Sequence, residues 1–492
     1  MGDIYNISAS IQNIINSVAL ITPELTIVAG FLLVILIDLF VKQSRTINFY
    51  VALSSIILAM LFFILQYKDV GASQVLLFNN MFVINKKIIL FKILSMFAAA
   101  LSLIFFSLDK RLSTHRKGIG DLYSVFLASL LAVLILISSA NLLLAFIAIE
   151  MLSLASYIMV VYSSEDEKQT EAGMKYLLFG TAVSAMMLYG ITFIYGFSGS
   201  LNLYDASIIN GLNEVPTVAK TMALIFFMAG IGFKLSFVPF HFWTPDAYQA
   251  APTSVTSFLS TLPKIAVFAW LLSINDVLHL SADIYIQLIF AVALLTLLLG
   301  NVMAIFQKDL KRLMAYSAIG HTGFMLMIYI LPGINIFNAL FFYLLVYVIT
   351  NVGVFAVLYF FEEKYGAVTL EAIKGLGKPA ALAGSILVLF AVSLIGLPPT
   401  GGFVAKFVIF SELISHLNHS VYNIILLIVA VLTTVISLFY YFKIPLNLFL
   451  RKAEINIEPS PSGSNHPILV LAMVLAVFIL ILGVAPNFFS FM

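Results

Sequence analysis

The chain has 492 residues, 62% of them hydrophobic and 10% charged, against the roughly 25% charged residues of a soluble domain, so the composition excludes a soluble globular protein. A net charge of +2, with no dense basic run, excludes a nucleic-acid partner. Cysteine is absent, so the chain holds neither a disulfide nor a thiolate-ligated iron–sulfur cluster, and no helix carries the paired histidines of a metal site.

The first 25 residues, MGDIYNISASIQNIINSVALITPEL, lack the positive n-region of a cleaved signal peptide and the Ser or Thr at position 6 of a myristoylation motif, so this segment is expected to be retained. About 20 apolar residues cross a bilayer as a helix, and runs longer than a barrel strand point to helices. Apolar runs and turn signals predict spans at 22–41, 47–65, 88–108, 122–138, 142–161, 171–197, 217–243, 252–272, 283–305, 313–331, 335–360, 381–415, 421–445 and 466–489. The expected fold class is therefore an all-α integral membrane protein of about fourteen transmembrane helices, forming a single polytopic domain over 1–492.

Gaps after odd-numbered spans hold sixteen Lys and Arg residues, among them Lys42, Arg45, Arg116 and Lys117, whereas gaps after even-numbered spans and both tails hold three, Lys68, Lys86 and Lys87. The positive-inside rule puts the odd gaps in the cytoplasm and both termini outside. The longest gaps, near 66–87 and 446–465, are linker-sized, so no extramembrane domain is expected.

The fifth span, NLLLAFIAIEMLSLASYIMVVY, carries Glu150 near its middle. A carboxylate at bilayer depth costs roughly 2.5–3.5 kcal/mol on insertion scales, so it must face protein or water. Two readings remain: a structural carboxylate bonded to a neighbouring helix, or a proton-pathway residue paired with a lysine. Lys175 lies near the start of the sixth span, where its stem can snorkel to the interface. Residues 230–248, GIGFKLSFVPFHFWTPDAY, at the end of the seventh span and just beyond it, hold Lys234 with Pro239 and Pro245. The prolines free backbone carbonyls, which is tolerated at membrane depth only where the backbone lines a wet or protein-filled cavity, so water is expected at the lysine. The alternative is a proline kink made for packing. In the eighth span Lys264 follows Pro263, which is expected to disturb the helix, and in the twelfth Lys406 follows Pro398, Pro399 and two glycines. The segments GFK at 232–234 and GFVAK at 402–406 form a weak internal repeat, each beside prolines, which is the sequence pointer to an inverted-repeat transporter. His241 and His321 are the histidines within spans; spacing alone does not separate a structural role, a proton-carrying role or a haem-ligand pair. Lys92 and Lys220 lie near outer ends of spans, where snorkelling accounts for them.

The segments PELTIVAGFLLVILIDLF, AFIAIEMLSLASYIMV, EAGMKYLLFG, GFKLSFVPFHFWTPDAYQAAPTSVTSFLSTLPKIAVF, KRLMAYSAIGHTGF and SLIGLPPTGGFVAKF together resemble the subunit N family of bacterial NADH:quinone oxidoreductase, respiratory complex I, across essentially the whole chain. The first segment favours subunit N over the related subunits L and M; a lysine at 406 is unlike subunit M, and the chain lacks the long lateral helix of subunit L. The resemblance implies an antiporter-like fold with inverted five-helix repeats, helices 4–8 (122–272) and 9–13 (283–445), and discontinuous helices 7 and 12. It implies a proton-translocating membrane-arm subunit in which Glu150 and Lys234 form an ion pair, Lys264 is the central relay and Lys406 the distal carrier, with Lys175 also on the path; His321 joins this candidate set. It further implies no cofactor in this chain, with FMN, iron–sulfur clusters and quinone in other subunits. The implied partners are subunit M, the small subunits K and J, and lipid. The implied location is the bacterial inner membrane, with periplasmic termini. The sequence departs from the family at MFVINKKIILFKIL, where relatives often carry an aspartate before helix 3, and at Phe324, where a tyrosine is common.

Two other functions fit the same reading less well. An Mrp-type or stand-alone cation/proton antiporter shares the implied fold. A quinone-binding module needs a polar head-group motif at a hydrophobic tunnel, and no such motif is present in the sequence; the methionines and 44 phenylalanines read as packing and lipid contact.

Overall fold

The computed structural model describes residues 11–12, 14–41, 44–71, 74–113, 119–162, 167–278, 283–331, 335–417, 420–452 and 467–486. Lys42, the loop with Arg116 and Lys117, and residues 1–10 and 487–492, on which the sidedness expectation partly rests, lie outside this set.

Among the described residues, twelve helices are long and apolar enough to cross a membrane. They are α1 (Thr22–Phe40), α2 (Arg45–Asp69), α3 (Lys86–Leu108), α4 (Gly120–Ile137), α5 (Leu142–Val160), α6 (Glu167–Ser198), α7 (Thr217–Leu235), α9 (Thr253–Leu278), α10 (Asp283–Ile305), α12 (Ile336–Tyr365), α15 (Val421–Pro445) and α16 (Pro467–Val484). Further helices are shorter or more polar, among them α8 (Trp243–Ala250), α11 (Leu310–Met327), α13 (Ala381–Ile395) and α14 (Gly401–Ser415). The predicted span at 217–243 is thus a helix followed by a break, and that at 381–415 is two helices.

The helix α11 has the wrong composition for a lipid-facing span, with Lys311, Arg312, Ser317, His321 and Thr322 in eighteen residues. Every residue of it except Arg312 is buried, so it meets protein on all sides and needs no continuous apolar surface. Likewise 94% of the apolar window of α12 is buried, against 28% for α1 and 33% for α15, whose remaining sides carry exposed Leu, Ile, Val and Phe as lipid-facing or subunit-facing helices do.

The chain divides into two compact units, Met1–Lys234 with Leu262–Tyr285, and Leu235–Thr261 with Ile286–Met492. In the first unit the gap after α2 folds into a feature the hydropathy pattern does not show. Two strands, β1 (Val75–Leu77) and β2 (Phe82–Ile84), form an antiparallel hairpin whose turn residues Phe78, Asn79 and Asn80 all take positive φ. Val83 N donates to Ser138 O at 2.8 Å and Ala140 N to Met81 O at 2.9 Å, so the hairpin closes over the turn between α4 and α5 and satisfies that turn's backbone.

Two expectations are corrected in this unit. Lys92 does not snorkel: it is 1% exposed in α3 and pairs with Glu24 of α1, its ammonium 5.3 Å from the centroid of the Phe63 ring on α2. It lies in the second turn of α3 on a face enclosed by α1 and α2, so its stem has no path to the interface. Breaking such a pair leaves one uncompensated buried charge, at a cost of about 3–5 kcal/mol, whereas removing both charges costs far less. Lys92→Met is therefore expected to lower thermal stability and subunit content sharply, with the Glu24→Gln/Lys92→Met double variant recovering most of the loss in a melting curve of the purified protein.

The second correction concerns Pro263, which does not break the eighth span: α9 runs unbroken from Thr253 to Leu278. Nearby, the hydroxyls of Ser260 and Thr261 each donate to Ser257 O at 2.8 Å, within the same helix.

Candidate functional site

After Leu235 the backbone leaves helical geometry until Trp243. Ser236 adopts a φ of 61°, in the left-handed region that disfavours non-glycine residues, and Thr244 Oγ1 donates to its hydroxyl at 2.7 Å. The polar groups freed by the break find side-chain partners. Thr322 Oγ1 of α11 donates to Leu235 O at 2.9 Å, and Val238 N donates to Thr296 Oγ1 of α10 at 3.1 Å. Hydrocarbon could satisfy neither group, so these two threonines make the interruption affordable at membrane depth. His241 lies within the break, buried, with Nδ1 lacking a hydrogen-bond partner and its ring 4.4 Å from that of Phe242.

Lys234, one residue before the end of α7, is 2% exposed. Its ammonium donates to Tyr176 Oη of α6 at 3.4 Å and lies 5.6–5.7 Å from the ring centroids of Tyr157, Tyr176 and Phe233. A desolvated cation against aromatic faces gains up to about 2 kcal/mol per ring, which explains how the charge is housed without a contacting carboxylate. Glu150 of α5 is half-buried, and its carboxylate accepts from Ser184 of α6. Glu150 and Lys234 interact through their charges, but among the described contacts no direct ion pair joins them.

Lys175 is not gathered with these groups. It is 45% exposed and pairs at 2.7 Å with Glu171, one turn earlier on α6, an exposed pair of the kind that contributes little. The buried face of α6 runs through Ala172, Gly173, Tyr176, Gly180, Val183 and Met187, a helical repeat of small and apolar residues that passes beside position 175. That repeat was the signal in the sequence for Tyr176. Ser184 carried no such signal.

Lys264 is fully buried inside the continuous helix α9, in the first unit.

In the second unit α13 is stopped at Gly396, whose φ of 88° only glycine adopts readily; a side chain there would also stand 2.7 Å from the Lys406 stem. The freed carbonyls of Leu394 and Ile395 accept from Lys406 Nζ at 3.0 and 2.8 Å. The ammonium therefore caps the negative end of the half-helix, and it also lies 4.7 Å from the ring centroid of Phe324 on α11. His321 Nδ1 shares a hydrogen bond of 2.8 Å with Tyr343 Oη of α12. His321, Tyr343, Thr350, Ser393 and Lys406 line a narrow cavity with room for about one water. Lys234 precedes its break and Lys406 follows its own, so GFK and GFVAK occupy different places relative to the interruptions. Among the described residues no three His, Asp or Glu side chains are grouped as metal ligands.

Fold and site together define a multi-pass membrane protein that keeps ammonium groups in its interior at interrupted helices, in contact with hydroxyls, carbonyls and rings. Residues 139–437 match the family model described as NADH:quinone oxidoreductase/Mrp antiporter, TM. The chain is 35% identical to NADH-quinone oxidoreductase subunit N 2 of Chloroherpeton thalassium, covering 94% of this chain and 90% of that one, and 33% identical to the subunit N of Chlorobium chlorochromatii, covering 90% and 88%. Among solved structures it matches a chain of respiratory complex I from Thermus thermophilus with a TM-score of 0.77 at 28% identity, over 94% of this chain and 97% of that one. A chain of an archaeal membrane-bound sulfane sulfur reductase shares the fold, with a TM-score of 0.81 at 22% identity over 96% and 95%. The chain belongs to the NADH:quinone oxidoreductase/Mrp antiporter membrane family, and within it to subunit N of NADH-quinone oxidoreductase.

Proposed function

We propose that this chain is a proton-translocating subunit in the membrane arm of an NADH:quinone oxidoreductase, handing protons between buried side chains while electrons travel through FMN, iron–sulfur clusters and quinone in other subunits. The observation that carries the reading is the pair of buried lysines at interrupted helices, each in hydrogen-bond contact with polar groups: Lys234 on Tyr176, and Lys406 on two carbonyls beside the His321 cavity. An ammonium can pass a proton to such a neighbour and recover it. Relatives named as subunit N support the assignment to this enzyme rather than to an Mrp-type antiporter.

In this reading the chain has fourteen spans, counting α11 and the α13–α14 pair, with inverted repeats over 122–272 and 283–445. Glu150 and Lys234 act as a charge-coupled pair, Lys264 as the central relay, His321 and Lys406 as the distal carriers, and Lys175 as a surface cation on the path. Subunits M, K and J are its neighbours, the bacterial inner membrane its location, and both termini are periplasmic. Lys264→Arg tests the function, since a guanidinium keeps its proton where an ammonium gives it up. Vesicles holding the whole enzyme are expected to oxidise NADH with a lowered proton uptake per NADH; uptake at the wild-type ratio would overturn the relay. Sidedness is tested in a chain with no native cysteine. A Cys replacing Asp3 is expected to react with an impermeant reagent from the periplasmic side, and reaction only after permeabilisation would reverse the topology. Migration with NADH dehydrogenase activity in a native gel separates the assignment from a stand-alone antiporter.

A further inference from the structure

Tyr157 lies on α5 seven residues after Glu150, which puts the two on the same helix face. Its ring stands edge-on to that of Tyr176, with centroids 4.6 Å apart at 88°, and Lys234 Nζ is 5.7 Å from its centroid. The Tyr157 hydroxyl is buried and makes no hydrogen bond of normal geometry; the Ser153 hydroxyl, one turn earlier on α5, stands beside it, and it interacts electrostatically with Glu150 and with Tyr176. The other hydroxyls of this layer are engaged: Ser153 donates to Ile149 O at 2.6 Å, Ser156 to Leu152 O at 2.7 Å, and Ser184 to the Glu150 carboxylate. Space for the phenol comes from Gly180 on α6, where a Cβ would stand 1.7 Å from Tyr157 Oη.

A buried hydroxyl without a well-formed hydrogen bond is a cost to folding that phenylalanine would avoid in the same volume. The arrangement nonetheless keeps the hydroxyl, opposes it with a glycine, and sets it between two ionisable groups that do not touch. We propose that Tyr157 is a proton-relay residue joining Lys234 to Glu150 by way of Tyr176, an inference that rests on the proton-translocating reading above. A proton leaves the Lys234 ammonium for the Tyr176 hydroxyl, which releases its own proton toward Tyr157. Tyr157 in turn releases its proton to the Glu150 carboxylate, with a water molecule carrying it wherever two oxygens stand apart. Each phenol loses one O–H bond and regains one, so the net change is ammonium to amine at Lys234 and carboxylate to carboxylic acid at Glu150.

The test is Tyr157→Phe in the whole enzyme, reconstituted in vesicles, beside Lys234→Met. The expected result is a lowered proton uptake per NADH at wild-type subunit content, with thermal stability unchanged or raised, because only an unsatisfied hydroxyl has been removed. A lowered melting temperature or subunit content for Tyr157→Phe would show a structural role and overturn the relay. Wild-type coupling in Tyr157→Phe alongside deficient coupling in Lys234→Met would overturn the relay and leave the proton-translocating reading standing. Wild-type coupling in both variants would remove that reading as well.

Discussion

Lys406→Arg is expected to stop proton passage through this subunit while leaving the protein assembled. The reason lies in what the ammonium does at the break in the twelfth predicted span. It donates to Leu394 O and Ile395 O, so a neutral apolar replacement would strand two buried carbonyls, at about 1–3 kcal/mol each, and mix a structural defect with a chemical one. Arginine keeps the charge and the donors at the negative end of α13 but does not release its proton. Loss of a group that both gives and takes a proton slows transfer by about 100-fold or more. Proton uptake measured against NADH oxidation in vesicles is therefore expected to fall with subunit content unchanged. Uptake at the wild-type ratio would make Lys406 a fixed structural charge. The Lys406→Met variant, by contrast, is expected to lose stability as well, which separates the capping contribution from proton transfer.

The second large effect is expected at Glu150 and Lys234. Glu150→Gln preserves the acceptor for Ser184 while removing the charge that Lys234 senses, and Lys234→Met preserves most of the volume among Tyr157, Tyr176 and Phe233 while removing the titratable group. Each is expected to lower proton uptake per NADH. Because both variants disable one coupled unit, the double variant should be no worse than the poorer single, a departure from additivity that a double-mutant cycle reads directly. Additive losses would mean that the two residues work on separate steps. The absence of a direct ion pair sharpens this expectation: coupling over the distance of the aromatic layer depends on the low-dielectric interior, so it weakens if water is admitted there.

Some features of the site were legible in the sequence because they follow from local chemistry. Long apolar runs cannot be solvated and must become spans, and Pro and Gly beside Lys234 and Lys406 interrupt a helix wherever the rest of the chain lies. Identifying those two lysines and Glu150 required only hydropathy, since an ionisable residue at bilayer depth demands a reason to be there. Pro263 shows the limit of the same rule. α9 runs unbroken past it and around Lys264.

By itself, then, the sequence determined the class of protein and where its long apolar runs lie, because both depend on residues within one or two helical turns. Only the tertiary structure decided what the cations touch. The partner of Lys234 is Tyr176, 58 positions away, and that of Leu235 O is Thr322, 87 away. Lys92 is buried against Glu24, 68 positions earlier, instead of reaching the interface, while Lys175 lies outside and its neighbour Tyr176 inside. A rotation of one residue, about 100° around a helix, separates those last two fates, and helix packing sets that rotation from contacts far apart in the chain.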